Sequence, residues 1–340
     1  MLSATTLYSA ILALGILVSG SLFLLSVRRH GLSVRLAAGI FAAGLVLAYF
    51  FAKGVYVALN WSALKAHGAG KWFMLVPEQI SFVGGAIGFC LAPLLICIKK
   101  RRELPAYLDR LAFPAGLLAA LMRFDEIFLG ELGLADLRDI GLQDMTDGDL
   151  FARFPFAVKD SWGVWYLAVC TIAALMILII IGCLALRARQ AKHAGRPLPE
   201  GLQFERFVFL VCAVRLFLEL TRLDCLIFFF VHVDQVLAAV VMLVLFIRAG
   251  RRVKQRSGHF PAWSLVLFLV CYTLNGIMQY AMDKPWHFQS LLPESVYNWL
   301  AYNLSSFGTC VLLVTTVATV ILYLRLCRKE AKTAGETPAA

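Results

Sequence analysis

The 340-residue chain is 61% hydrophobic and only 16% charged, and its mean hydropathy is +0.78. This composition excludes a soluble globular protein and indicates a protein that crosses a membrane several times. The formal net charge of +11 is explained by basic cytoplasmic loops facing anionic lipid, so no nucleic-acid partner is predicted.

About nine segments are long and apolar enough to cross a bilayer, and all are predicted to be helices. In chain order they are 5–26, 35–59, 78–98, 106–122, 162–186, 204–223, 225–248, 262–282 and 297–324. The predicted fold is therefore an all-α, polytopic transmembrane helical bundle. Lysine and arginine are concentrated in alternate loops, which predicts an outer amino terminus and a cytoplasmic carboxyl terminus.

The predicted spans divide the chain into a seven-span core, residues 1–250, an additional two-span hairpin, 251–328, and a polar tail, 329–340. Between the fourth and fifth spans, the acidic, glycine-rich segment 123–161 is predicted to form a small outer cap with one or two short helices. The cysteines and histidines show no metal-ligand spacing, and the sequence contains no nucleotide-binding or hydrolase motif. We therefore predict no metal site and no cofactor.

Charged residues lie inside the sixth predicted span, where burial in lipid is costly. Arg215, Glu219 and Arg222 fall within about 60° of one another on a helix and so share one face. Two guanidinium groups held by a carboxylate suit a phosphate, because each arginine offers paired, planar donors. The alternative is an ion pair next to a helix-end arginine that reaches the headgroups.

The second and third spans carry polar residues and glycines near their predicted outer ends. Lys53 and Tyr56 lie within about two turns of the end of the second span, where the lysine either reaches the headgroups or faces the same cavity. The third span opens with the sequence SFVGGAIG, beginning at Ser81. Its adjacent glycines, Gly84 and Gly85, permit close approach of a ligand or, alternatively, of another helix.

Charged residues also lie within the predicted cap, near its two ends. Arg123, directly after the fourth span, is followed by Glu126 and Glu131. Together they supply the cation and the acids that proton transfer beside a bound phosphate requires. A helix end solvated at the headgroups is the alternative. Arg153, followed by Pro155, precedes the fifth span in a predicted turn.

In their order and spacing, these motifs together resemble prolipoprotein diacylglyceryl transferases. The resemblance covers roughly residues 35–250, and Asp234 to Leu237, at the start of the seventh span, resembles the family's final helix. It implies an enzyme of the bacterial plasma (inner) membrane. Such an enzyme transfers the diacylglyceryl group of phosphatidylglycerol to the cysteine thiol of a prolipoprotein and releases glycerol phosphate. The implied partners are the bilayer, the phospholipid and prolipoprotein signal peptides, without a cofactor.

The resemblance also implies roles for individual residues. The arginines would hold the phosphate and stabilise the leaving group, while the acids would orient the arginines or carry a proton. The predicted catalytic residues are Arg123, Glu126, Glu131, Arg215 and Glu219. The predicted substrate-binding residues are Lys53, Tyr56, Ser81, Gly84, Gly85, Arg153 and Arg222.

The chain departs from the family at two positions that matter for the chemistry. The family's histidine between SF and GG is Val83 here, and its tyrosine four residues before the second arginine is Val211. Losing the histidine removes the obvious base for the thiol, which leaves Glu126 or Glu131 as candidates. Two other functions therefore stay open: a non-catalytic phospholipid-binding protein and a small-anion transporter. The retained intramembrane charges favour an enzyme, and no inverted repeat supports a transporter.

Overall fold

The computed structural model describes residues 4–65, 80–125, 152–153, 155–159, 165–195, 198–218, 227–228, 231–289 and 291–335. In chain order the helices are α1 (Ala4–Arg29), α2 (Val34–Leu59), α3 (Trp61–Lys65), α4 (Phe82–Ile96), α5 (Leu104–Asp125), α6 (Val169–His193), α7 (Leu202–Leu218), α8 (Val233–Ser257), α9 (Ala262–Asp283) and α10 (Glu294–Gly335). Single 3₁₀ turns lie at Cys97–Lys99 and Pro285–Phe288. The protein is thus a helical bundle, which confirms the predicted fold class.

Eight of the described helices are long and apolar enough to cross a membrane, so the protein is a multi-pass membrane protein. They are α1, α2, α4 with the 3₁₀ turn after it, α5, α6, α8, α9 and α10. The sixth predicted span corresponds to α7, of which 17 residues are described. Each predicted span therefore has a helical counterpart.

Two helices begin seven or eight residues later than predicted. The hydropathy pattern starts the fifth and seventh spans at 162 and 225, whereas α6 and α8 begin at Val169 and Val233. The residues before them form two short antiparallel strand pairs, β1 (Ala157–Lys159) with β2 (Trp165–Leu167), and β3 (Ile227–Phe228) with β4 (Val231–His232). A short apolar run rich in aromatic and β-branched residues suits a strand as well as a helix, so hydropathy places both boundaries too early. β1 lies in the predicted cap, most of which falls outside the described residues.

Helices α2 and α4 pack closely through glycines. Gly88 of α4 faces the backbone of Leu47, whose carbonyl oxygen a Cβ at this position would overlap. Gly44 of α2 faces the ring of Phe89 in the same way. Helices α1, α5, α6 and α7 complete one apolar core with this pair, while α7, α8, α9 and α10 share a second.

Substituting Gly88 with valine is expected to lower the free energy of unfolding by about 1–3 kcal/mol, because the added methyl groups force α2 and α4 apart. Thermal unfolding in detergent measures the loss. Gly54→Val in α2 is the matched control, since a Cβ on Gly54 would meet nothing within 4 Å. An equal loss in both variants would show that the close contact is not the cause.

The hairpin of α9 and α10 is joined to the remaining helices by charged side chains. Arg252 of α8 donates two hydrogen bonds to the carboxylate of Glu205 in α7, at 3.0 and 2.6 Å, and one to Glu330 in α10, at 2.9 Å. Within the hairpin, the buried Asn275 amide of α9 lies 3.3 Å from the hydroxyl oxygen of Thr315 in α10. These contacts tie α7, α8, α9 and α10 into one unit.

Candidate active site

Two buried arginines from separate helices meet at one aromatic ring. Arg123, in the last turn of α5, is 3% exposed, and Arg215, in the last described turn of α7, is 8% exposed. Their guanidinium carbons lie 4.1 Å and 5.5 Å from the centroid of the Phe82 ring at the start of α4. Both distances are typical of cation–π contacts, which hold the two guanidinium groups on a shared apolar support.

The same three side chains line a cavity with an empty volume of about 330 Å³, its open mouth included. Helices α6 and α7 supply apolar walls, formed by Val169, Cys170, Ala173, Ile177, Val211, Val214 and Leu218. In such an apolar enclosure, the attraction between a guanidinium group and an anion is much stronger than in water.

A third charged group, Asp234 in the first turn of α8, connects α4 to Arg215. The residue is 3% exposed. The Ser81 hydroxyl donates a hydrogen bond to Oδ1, and the backbone N–H groups of Phe82 and Val83 donate to Oδ2 at 3.1 and 3.4 Å. Nη2 of Arg215 donates to the same oxygen at 3.1 Å. Asp234 thus caps the amino end of α4 from another helix, where the helix dipole also favours an anion.

Ser81 lies at the edge of the site as the N-cap of α4. Its hydroxyl accepts a hydrogen bond from the backbone N–H of Gly84 at 2.9 Å while donating to Asp234. Its own N–H donates to the carbonyl oxygen of Ala52 at 3.1 Å. Ser81 is fully buried by these contacts, which explains why a serine precedes this apolar helix.

The paired glycines face α2. A Cβ on Gly84 would lie 2.9 Å from Ser81 Oγ and 3.0 Å from the carbonyl oxygen of Phe51, and one on Gly85 would lie 3.4 Å from Cβ of Ala52. This is the close helix packing that the sequence left open as an alternative. A role of Gly84 and Gly85 in substrate binding stays a prediction.

Three further predicted site residues that the structure describes do not line this cavity. Lys53 is 1% exposed within α2, with Nζ 5.0 Å from the Tyr56 ring centroid, and Arg153 is exposed beside β1. None of these three is among the described residues that line the cavity. The predictions for Glu126, Glu131, Glu219 and Arg222 lie outside the described residues.

Sequence reasoning missed Asp234 and Cys170 as residues of the site. The sequence does contain a signal for Asp234, since a carboxylate at the start of an apolar helix needs a partner. The partner is not readable from the sequence, because Ser81 lies 153 residues earlier. Cys170 carries no such signal, since a cysteine in an apolar run usually packs in a core.

A family model for prolipoprotein diacylglyceryl transferase matches residues 3–249, which include the four helices around the cavity. The match ends within α8, so α9 and α10 lie beyond it. No curated protein matches the chain individually.

Proposed function

Because the chain belongs to the prolipoprotein diacylglyceryl transferase family, as its motifs predict, we propose that it transfers the diacylglyceryl group of phosphatidylglycerol to the cysteine thiol of prolipoproteins. The observation that carries the proposal is the convergence of Arg123 and Arg215 on one cavity among membrane-spanning helices. Two buried guanidinium groups in such a place suit the phosphate of a lipid headgroup, while the acyl chains remain among the surrounding lipids.

In the proposed reaction, the cysteine sulfur attacks the carbon of the diacylglyceryl group that is bonded to the phosphate oxygen. The C–S bond forms as the C–O bond breaks, the oxygen and its electron pair leave with glycerol phosphate, and the thiol proton passes to a base. Arg123 and Arg215 would stabilise the charge that develops on the leaving phosphate. Glu126 and Glu131 are the proposed proton acceptors, and Glu219 would orient the arginines.

The proposed setting is the bacterial inner membrane, with the cavity toward the outer leaflet. The donor would enter from the bilayer, and the acceptor would arrive as the signal peptide of a prolipoprotein. Charge stabilisation and positioning would supply the rate, without a metal or cofactor.

A transfer assay with the purified protein tests the proposal. The protein is reconstituted with phosphatidylglycerol labelled in its diacylglyceryl group and with a peptide that carries a prolipoprotein signal sequence and its cysteine. The expected result is a thioether-linked labelled peptide, with one glycerol phosphate released for each one formed. Substituting Glu126 or Glu131 with glutamine then identifies which acid the thiol proton requires.

One observation favours a second function, binding of phospholipid without catalysis. Val83, at the position of the family's histidine, is 3% exposed and packs in the core with α7 and α8. Because the residue is a valine, this position offers no titratable side chain to accept the thiol proton. Retention of phosphatidylglycerol without any labelled peptide would establish the binding function and overturn the proposed transfer.

Substituting Cys170 with phenylalanine is expected to lower the transfer rate by about tenfold or more, because the larger side chain occupies the cavity and displaces the headgroup. Initial rates in the transfer assay measure the loss. Cys183→Phe is the matched control, since Cys183 is exposed on the same helix. Unchanged transfer by the Cys170 variant would mean that the donor binds elsewhere.

A further inference from the structure

The carboxylate of Asp234 is held by four donors from two other helices. Three of them, the Ser81 hydroxyl and the N–H groups of Phe82 and Val83, belong to the start of α4, and the fourth is Nη2 of Arg215 in α7. Asp234 therefore joins the element that presents the Phe82 ring to the element that presents Arg215.

Such a link restricts the guanidinium group of Arg215. An arginine side chain has many rotamers, and burial near Arg123 and the positive end of α4 disfavours its charge unless an anion compensates. The bond from Nη2 to Asp234 supplies that anion and selects one orientation, with the guanidinium carbon 5.5 Å from the Phe82 ring centroid. Because Asp234 already accepts four hydrogen bonds, it is suited to hold a guanidinium group rather than to take a proton from a thiol.

The residue after Asp234 also joins α8 to α7. The Gln235 side-chain N–H donates to the carbonyl oxygen of Leu216 at 3.0 Å, directly after Arg215 in the chain. The start of α8 thus holds both the backbone and the side chain at this end of α7. An exposed ion pair would not restrict the arginine in this way, because water would compete for both groups.

We infer that Asp234 is a positioning residue for diacylglyceryl transfer, which holds Arg215 in the orientation that meets the lipid phosphate. The inference rests on the proposed function. Asp234 acts through Arg215, so its contribution depends on that guanidinium group being present. It also depends on the length of the side chain, since one carboxylate must contact both α4 and Arg215 of α7.

The test compares kcat and KM for phosphatidylglycerol among Asp234→Asn, Asp234→Glu, Arg215→Lys and the double variant Asp234→Asn/Arg215→Lys. Asp234→Asn is expected to raise KM by about tenfold or more, because a charge-assisted bond to the phosphate-binding group is lost. Asp234→Glu is expected to raise it as well, since the longer side chain keeps the charge but not the geometry. In the Arg215→Lys background, Asp234→Asn is expected to add no more than about a twofold change.

Asp109→Asn is the matched control. Asp109 of α5 likewise caps another helix, accepting hydrogen bonds from the N–H groups of Gly201 and Phe204 at 2.7 and 3.0 Å at the start of α7. It lies about 21 Å from Arg123 along α5 and is not among the described residues that line the cavity. Its substitution is expected to lower the melting temperature while KM stays within about twofold of the wild-type value.

Equal KM changes in the Asp234 and Asp109 variants would overturn the inference while the proposed function stands. So would a double variant whose change in KM equals the product of the changes in Asp234→Asn and Arg215→Lys. If Asp234→Asn does not fold, Asp234→Glu and Ser81→Ala carry the test, and wild-type KM in both would overturn the inference. A folded wild-type protein that neither transfers nor retains phosphatidylglycerol would overturn the proposed function and this inference together.

Discussion

Replacing Arg215 with alanine is expected to lower the transfer rate by about 10²- to 10³-fold, because the leaving phosphate loses a preorganised charge in an apolar cavity. The same change leaves the Asp234 carboxylate buried without its ion-pair partner. Breaking a buried pair in this way is expected to lower the free energy of unfolding by about 3–5 kcal/mol. Initial transfer rates and thermal unfolding in detergent measure the two effects.

The double variant Arg215→Ala/Asp234→Asn separates stability from chemistry. Replacing the carboxylate with a neutral amide removes the uncompensated charge, so much of the lost stability is expected to return. Transfer is not expected to return, because the amide does not supply a cation for the phosphate. Recovery of transfer together with stability would show that Arg215 serves the fold alone.

Replacing Arg123 with alanine is expected to lower the transfer rate by about 10²-fold. Arg123 makes the shorter of the two contacts with Phe82, at 4.1 Å, and approaches the cavity from α5 rather than α7. The two arginines would therefore reach a phosphate from different sides, and neither would replace the other. Initial rates at saturating phosphatidylglycerol measure the effect on the chemical step.

Arg187→Ala is the control for the Arg123 variant. Arg187 also lies on a membrane-spanning helix, α6, but its side chain is exposed near the end opposite Cys170. Its substitution is expected to leave transfer within about twofold of the wild-type rate. A comparable loss in both variants would point to net charge rather than to the cavity as the cause.

Much of the fold is readable from the sequence, because a membrane helix needs a long apolar run. The starts of α6 and α8 are not, since the strand pairs before them continue the same apolar pattern over a few residues. The packing of Gly84 against α2 is not readable either. A glycine pair permits a ligand or a helix to approach, and only the neighbouring backbone decides between them.

The site is readable only in part. Arg123 and Arg215 are found because buried arginines in apolar segments are costly and so indicate an anion or a counter-ion. The sequence predicts the counter-ion of Arg215 on the same helix, at Glu219, which lies outside the described residues. In the structure, Asp234 of the next helix bonds to Arg215, and hydropathy does not reveal which helices face each other.

The most direct test is an experimental structure of the protein with phosphatidylglycerol bound. The lipid phosphate is expected to lie in the cavity beside Phe82, with guanidinium nitrogens of both Arg123 and Arg215 within about 3 Å of its oxygens. A phosphate bound elsewhere, or reached by one of these arginines while the other faces away, would contradict the proposed phosphate site.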